Sequence, residues 1–288
     1  MDFEGVRGRI EEQFGDFSPQ LKKAARYAVA RPEEVALNSL RNVASKAGVH
    51  PSTLVRLAHE LAFDGYNDFR EPFRSWLRDR PFSFSDRARK LRRRGREAET
   101  LVGEMLARDL ANLQTSIATI GVERLVEARR ILSDSRRIFV CGLRSLYPLA
   151  FYFHYACRMF MDKTILLTGQ GGTFADDLRR VSSEDALFVF SYAPYARDTM
   201  KAVRFARECK AKVIAVTDSP LSPAAQFSTV ALVVSNASPS FFPSLVPAVS
   251  VLQTLVALLI AQAGAGSLAD LANSERQLKS FNVYVEDD

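Results

Sequence analysis

His50, Ser52, Thr53 and Arg56 bring an imidazole, two hydroxyls and a guanidinium into seven consecutive positions, and Arg41 and Lys46 stand shortly before them. Groups of that size and kind reach base edges and phosphates in a DNA groove. A second set lies far along the chain. It comprises Gly142, Arg144 and Ser145 in CGLRSLY, then Ser191, Tyr195, Arg197 and Thr199 in FSYAPYARDT, and Ser240 in SNASPSFFPS. Hydroxyls and cations on short loops ahead of helices favour an anionic or polyol ligand. The first N–H groups of a helix have no partner within it, and its dipole is positive there. A lone serine before a helix is ordinarily a cap, so these loops carry weight only together.

The elements that would hold the first set are two short helices. In LRNVASKAGVHPSTLVRLAHELAFDG, the first helix buries Leu40, Val43, Ala44 and Ala47, and the second buries Leu54, Leu57, Ala58 and Leu61. Both follow the i, i+3, i+4 spacing of one apolar face. Gly48 permits the tight turn between them, Pro51 suits the opening of the second, and Gly65 closes it. This is a helix-turn-helix pattern, and double-stranded DNA is the first partner it implies. Around it the chain reads as helical from Phe3 to about Trp76, with Ser18 capping one helix and Asn38 or Ser39 capping the first of the pair.

Charge follows the same division. Residues 1–96 hold 20 Lys and Arg against 13 Asp and Glu, a net of +7; the remainder nets −1, which gives the +6 of the whole chain. The excess positive charge therefore travels with the helix-turn-helix, where phosphates would use it. Residues 78–96, RDRPFSFSDRARKLRRRGR, read as a basic linker, helical in its second half, between a domain over 1–77 and another over 97–288. From Glu97 to Ser133 two amphipathic segments lead into that second domain and could pair with a partner subunit.

The second set requires a different scaffold. RIFVC (137–141), TILL (164–167), ALFVF (186–190), KVIAV (212–216) and VALVV (230–234) are apolar runs separated by helical patterns near 145–161, 173–181, 197–210 and 221–227. A long apolar helix over 242–264 closes the series. Such runs mark strands buried on both faces, hence a doubly wound parallel sheet whose ligand sits beyond the strands' carboxyl ends. The fold class is α/β with a separate all-α domain.

Other classes find less support. Cys141, Cys157 and Cys209 have no paired spacing, which indicates a reducing cytoplasm, and the start MDFEGVRGRI lacks a signal-peptide pattern. The run from Leu245 to Gly264 is interrupted by Pro247, Ser250, Gln253, Thr254 and Gln262, so it reads as a buried or interface helix, not a membrane span. His50 and His59 fall in the DNA-reading region, His154 sits mid-helix among aromatics, and Glu184 and Asp185 precede a strand at the edge away from the loops. No acid–base group or metal-ligand spacing is placed for catalysis, and no cofactor is expected.

The order of the two domains resembles the RpiR/MurR family of bacterial transcription regulators. The resemblance runs from about Phe3 to Gly264 and rests on VASKAGVHPSTLVRLAHELAFDGY in the first domain. In the second it rests on CGLRSLY, FSYAPYARDTMKAVRFARECKAKVIAVTDSPLSP and the segment ending in SFF. It implies a SIS (sugar isomerase) fold that in that family senses phosphosugars. The chain departs from the commoner phosphate loop of serine, any residue, serine, glycine and a following threonine. Ser191 matches the first serine, but Ala193 and Pro194 stand at the second serine and glycine, and Ala196 at the threonine. Arg197 and Thr199 remain nearby, and Arg144, Tyr195 and Arg197 would compensate by charge and hydrogen bonding.

These readings lead to a ligand-responsive DNA-binding regulator of carbohydrate or related carbon catabolism. It would be cytoplasmic, nucleoid-associated at its operator, without a membrane, and a homodimer or homotetramer on an inverted repeat. Ser52, Thr53 and Arg56 would read bases; Arg41, Lys46 and Arg92–Arg94 would touch phosphates. The small effector would be a phosphosugar, another polyol or an organic acid. Two alternatives remain: a SIS-fold sugar-phosphate isomerase with an accessory nucleic-acid-binding domain, and a basic scaffold that binds protein.

Overall fold

The computed structural model describes residues 1–78, 84–93 and 97–285. The chain forms two compact units, Met1–Arg93 and Arg94–Asp288. In the first lie seven helices among the described residues: α1 (Phe3–Gln13), α2 (Pro19–Ala30), α3 (Pro32–Leu37), α4 (Leu40–Ala47), α5 (Pro51–Glu60), α6 (Tyr66–Arg78) and α7 (Phe84–Arg93). Their starts are chemically marked. Asp2 and Ser18 accept hydrogen bonds from the N–H groups of Gly5 and Leu21, and Ser39, not Asn38, caps α4 by accepting from Asn42 N–H at 3.4 Å. Prolines 19, 32 and 51 open α2, α3 and α5, where a missing N–H costs nothing.

Leu21, Ala24, Ala28, Val35, Val43, Leu54, Leu57 and Leu61 form the buried interior, and Phe3, Phe63, Phe69 and Phe73 extend it through ring contacts of 4.9–5.6 Å. Leu40 is half-buried, whereas the other seven apolar positions of the helix pair are buried as their spacing predicts. The end of α5 differs from the expectation. Leu61 N–H bonds Leu57 O at 3.1 Å and Ala62 takes φ 60°, so the chain turns at an alanine before reaching Gly65. Arg9 satisfies the Leu61 carbonyl at 2.8 Å, and Gly65 instead accepts from Phe69 N–H as α6 begins. Within the stretch read as a linker, α7 is helical; residues 79–83 and 94–96 lie outside the described residues.

In the second unit each of the five predicted runs is a strand, with ends moved by one residue at most: β1 (Ile138–Gly142), β2 (Thr164–Leu166), β3 (Ala186–Ser191), β4 (Lys212–Thr217) and β5 (Val230–Val233). All pair in parallel, in the order β2-β1-β3-β4-β5. Side chains alternate between two cores. Ile138, Val140, Phe188, Phe190, Ile214 and Val216 meet α8 (Ala98–Asp134), α9 (Tyr147–Arg158) and α13 (Val246–Ala261). Phe139, Leu187, Val189, Val213 and Ala215 meet α10 (Phe174–Leu178), α11 (Arg197–Glu208) and α12 (Pro223–Phe227). Burial of both faces is why the strands read as unbroken apolar runs.

The long α8 is two segments joined at Gly121, whose φ of 70° and ψ of 162° break the helical path. Ala248, Val251, Leu252, Leu255 and Leu259 bury α13 against α8 and α9, as the core-helix reading expects. No single helix among the described residues is long and apolar enough to cross a membrane, and α13 and α14 (Ala265–Ser280) are bent by 114°.

The amino edge of the sheet is fastened by one carboxylate. Asp185, fully buried, accepts from Arg137 at 3.0 and 3.1 Å, from Arg136 at 3.4 Å, and from the Ser182 N–H and hydroxyl at 2.8 and 2.9 Å. Burial opposes its charge, but the bonds from Arg137, Arg136 and Ser182 outweigh it and hold the carboxyl well below the usual carboxylate range. Asp185→Asn is expected to cost about 2 kcal/mol, because it uncouples two arginines of which one is half-exposed. The depressed carboxyl contributes stability above the unfolded value of about 4 and loses it as pH falls further. In urea unfolding followed by circular dichroism, the gap between the two proteins should therefore shrink below about pH 4.

Candidate functional site

The residues expected at a site fall into two groups, one in each unit. In the first, Gly48 takes the left-handed conformation, φ 64° and ψ 40°, and the Gly48 and Val49 N–H groups bond back to Ser45 O and Ala44 O at 3.1 and 3.0 Å. This double bond ends α4 and reverses the chain within two residues. His50 then caps α5: its Nδ1 accepts from Ser52 N–H at 3.4 Å and lies 2.8 Å from the Ser52 hydroxyl. The imidazole and that hydroxyl thus hold each other at the start of the helix. Arg41, Lys46, His50, Ser52 and Arg56 are exposed and Thr53 is half-buried.

Lys46 is engaged within the unit, 2.6 Å from Glu34, which also accepts from Asn38 at 2.6 Å. The hydrogen bond from Lys46 lowers the Glu34 carboxyl and raises the lysine in return. Of the six residues expected at DNA, Arg41 and Arg56 are the exposed cations without such an ion pair. Glu34 had no signal in the sequence, since its twelve-residue separation from Lys46 is closed only by folding.

In the second unit, β1 runs one way to β2 and β3 runs the other way to β4 and β5, so the switch in strand order lies between β1 and β3. A crevice outside the carboxyl ends at such a point is where open α/β sheets bind ligands. Gly142 and Phe190 are register partners at the ends of these strands, which places the 143–145 turn beside Ser191 and Tyr192. Gly142 is required by close approach: a Cβ there would lie 2.5 Å from the Leu146 carbonyl oxygen and 3.0 Å from Ala150 Cβ. Arg144 takes φ 57°, a sparsely populated conformation for a residue with a side chain, and Arg144 and Ser145 are exposed.

At the end of β3, the Ser191 and Tyr192 hydroxyls are buried and have no hydrogen-bond partner among the described residues. Burial, and then the Asp218 charge, push the Tyr192 hydroxyl well above its ordinary value. The β3 and β4 loops are locked together: Thr217 donates to Ser191 O at 2.7 Å, its hydroxyl lies 2.8 Å from that of Ser222, and Asp218 accepts from Ala193 N–H at 3.0 Å. Ala193–Pro194 is a cis peptide. Tyr195 is half-buried and Arg197 is exposed at the start of α11. Thr199 is turned inward, buried and hydrogen-bonded to the Cys141 thiol, which burial pushes up to about 12.

Three features were not singled out in the sequence. The loop after β2 holds Gly169, Gly171 and Gly172, all at positive φ, at the same carboxyl edge; the GQGG cluster was its signal. Asp218 and Tyr192 are the second. The third is α8, on which the loop after β5 is pinned. Ser235 N–H bonds Ser116 Oγ at 2.9 Å, Asn112 bonds Ser235 Oγ at 2.8 Å and Ala237 O at 2.6 Å, and Ser244 bonds Asp109 at 2.6 Å. Ser240, half-buried in this loop, accepts from Phe242 N–H at 3.4 Å. A groove of about 570 Å³ lies between α8 and this loop, lined by Glu104, Arg108, Ala237, Ser238 and Pro239. It lacks the residues of the β1–β3 crevice, whose chemistry and topology make it the better candidate.

His154 is half-buried on α9, its Nδ1 buried without a partner, and burial and Arg158 lower its pKa. Among the described residues no group of three or more His, Cys, Asp or Glu could hold a metal ion. Gly142→Ala should lower the melting temperature of the full chain by several degrees, equivalent to about 1–3 kcal/mol of overpacking. Gly266→Ala, on open helix surface, should leave it unchanged or slightly raised.

The family model for the SIS domain matches residues 131–263. The chain is 26% identical over 212 residues to the uncharacterized HTH-type transcriptional regulator YfhH of Escherichia coli, covering 73% of this chain and 74% of that one. Among solved structures, the sugar isomerase domain of an RpiR transcription factor from Sphaerobacter thermophilus matches with a TM-score of 0.58 at 24% identity, covering 61% of this chain and 98% of that one. The Vibrio vulnificus NanR protein complexed with ManNAc-6P matches with a TM-score of 0.57 at 19% identity, covering 97% and 100%. Residues 131–263 are a SIS domain, and over most of its length the chain is similar to proteins named HTH-type transcriptional regulators.

Proposed function

We propose that the protein is a ligand-responsive, DNA-binding transcription regulator, with α5 as the recognition helix and the β1–β3 crevice as the effector site. One observation carries the reading. A single chain joins a helix pair presenting Arg41, Ser52 and Arg56 to solvent with a SIS crevice holding two buried, unpartnered hydroxyls. Ser52, Thr53 and Arg56 read bases, Arg41 contacts a phosphate, and Lys46 reaches DNA only by leaving Glu34. His50 acts by fixing the start of α5. Two copies place their α5 helices on an inverted repeat in the cytoplasm.

The effector is a small polyol, sugar phosphate or organic acid that engages Ser191, Tyr192 and Ser145, with Arg144 and Arg197 supplying charge. Ala193 and Pro194 remove donors from the β3 loop, and Asp218 adds a negative charge beside it, which favours a ligand whose hydroxyls carry the recognition. The effector acts by binding one arrangement of the two heads better than another. Steady isomerisation of a sugar phosphate by the purified protein would replace this reading with the isomerase one.

The test is a thermal-shift series on the full chain with ManNAc-6P, glucose 6-phosphate, their unphosphorylated sugars, polyols and small organic acids. A true effector at a hundred times its Kd stabilises by about 2.7 kcal/mol, a rise of roughly 5–10 °C. Ser191→Ala should abolish the rise. In parallel, selection of bound fragments from a random duplex library should yield a shared sequence for the wild type. Arg56→Ala should lose about 1–3 kcal/mol of selectivity at one base position. A library without enrichment would sink the regulator reading.

A further inference from the structure

We propose that α7 is a second DNA-contacting surface, whose basic face lies along the phosphate backbone and adds sequence-independent affinity to that of α5. This rests on the DNA-binding reading above. The helix carries Arg87, Arg89, Lys90, Arg92 and Arg93 against the single acid Asp86, which pairs with Arg89 at 2.9 Å. It has no buried residue. Helix formation sorts its side chains: Phe84, Ala88 and Leu91 follow i, i+4, i+7 on one side, and Arg89, Lys90, Arg92 and Arg93 fan across the other.

Two physical arguments fix the partner. Arg87–Lys90, Arg89–Arg92, Lys90–Arg93 and Arg89–Arg93 are like-charge pairs at i+3 or i+4, each opposing the helix by roughly 0.2–0.5 kcal/mol. A polyanion relieves that repulsion. Ten residues of helix span about 15 Å, and a duplex carries one phosphate charge per roughly 1.7 Å of axis, so about nine charges lie within reach. The apolar side, with one alanine and two larger residues, is too small for the bulky apolar face with which a helix embeds in a lipid surface. A charged polymer fits it better than a membrane.

The experiment measures binding of the full chain to a 30-base-pair duplex of arbitrary sequence across a potassium chloride series, with the triple variant Lys90→Gln, Arg92→Gln, Arg93→Gln beside the wild type. Each lost phosphate contact reduces the slope of log K against log salt by about 0.9, so the slope should fall by roughly two to three. Arg56→Ala should change it by about one at most. An unchanged slope in the triple variant overturns α7 as a DNA surface while leaving α5 standing. A wild type without salt-dependent duplex binding overturns the DNA reading itself. Binding to phosphatidylserine vesicles that the triple variant loses, with its DNA slope intact, would assign the helix to a lipid surface instead.

Discussion

The parallel sheet, covered on both faces, is the constraint from which the rest of the second unit follows. Parallel strands cannot be joined by a tight turn, so each connection crosses over through a helix and returns to the same edge. Every loop that follows a strand is thereby delivered to the carboxyl edge. The register of β1 against β3 then sets which loops face each other, and Gly142 opposite Phe190 brings the 143–145 turn beside Ser191. Both strands must stay fixed for that meeting to hold. At the far edge Asp185 links the residues preceding β3 to Arg136 and Arg137, which lead into β1, so the pair that forms the crevice is locked from behind.

The crevice so formed carries mixed electrostatics. Arg144 and Arg197 lie exposed at its rim, while Asp218 is tied by a hydrogen bond to Ala193 N–H. That N–H, given to a carboxylate, is withheld from an anionic ligand. The Ser191 and Tyr192 hydroxyls beside it are buried, with no hydrogen-bond partner among the described residues. The loop after β5 belongs to another part of the unit's design. Asn112, Ser116 and Asp109 bind it to α8, whose first residues follow directly on the segment that joins the two units.

In the first unit the same logic works at shorter range. Helices this brief are marginal on their own, so caps and a shared apolar interior decide where they begin and end. Ser39, Gly48 and His50 each satisfy backbone groups at one terminus, and together they define the turn that presents Arg56. Electrostatics then edits the surface. Glu34 claims Lys46, while Arg41 and Arg56 stay exposed on the helix pair.

The five strands, the helix pair, the α/β class and the basic character of the first ninety-odd residues are legible in the chain before it folds. These are short-range signals: apolar periodicity, prolines and serines at helix starts, a glycine at a turn, and a count of charges. Its errors were also local, as at Ala62, where packing around Leu61 ends α5 before the glycine that composition favoured. Which polar groups find partners emerges from folding alone. Lys46 met Glu34 across twelve residues, Thr199 turned inward to Cys141, and Tyr192 was buried within reach of the Asp218 charge. Asn112 joined a loop more than a hundred residues away. The reason is physical: periodicity encodes which side of an element is buried, whereas the partner of a hydrogen bond depends on how two distant elements are brought together.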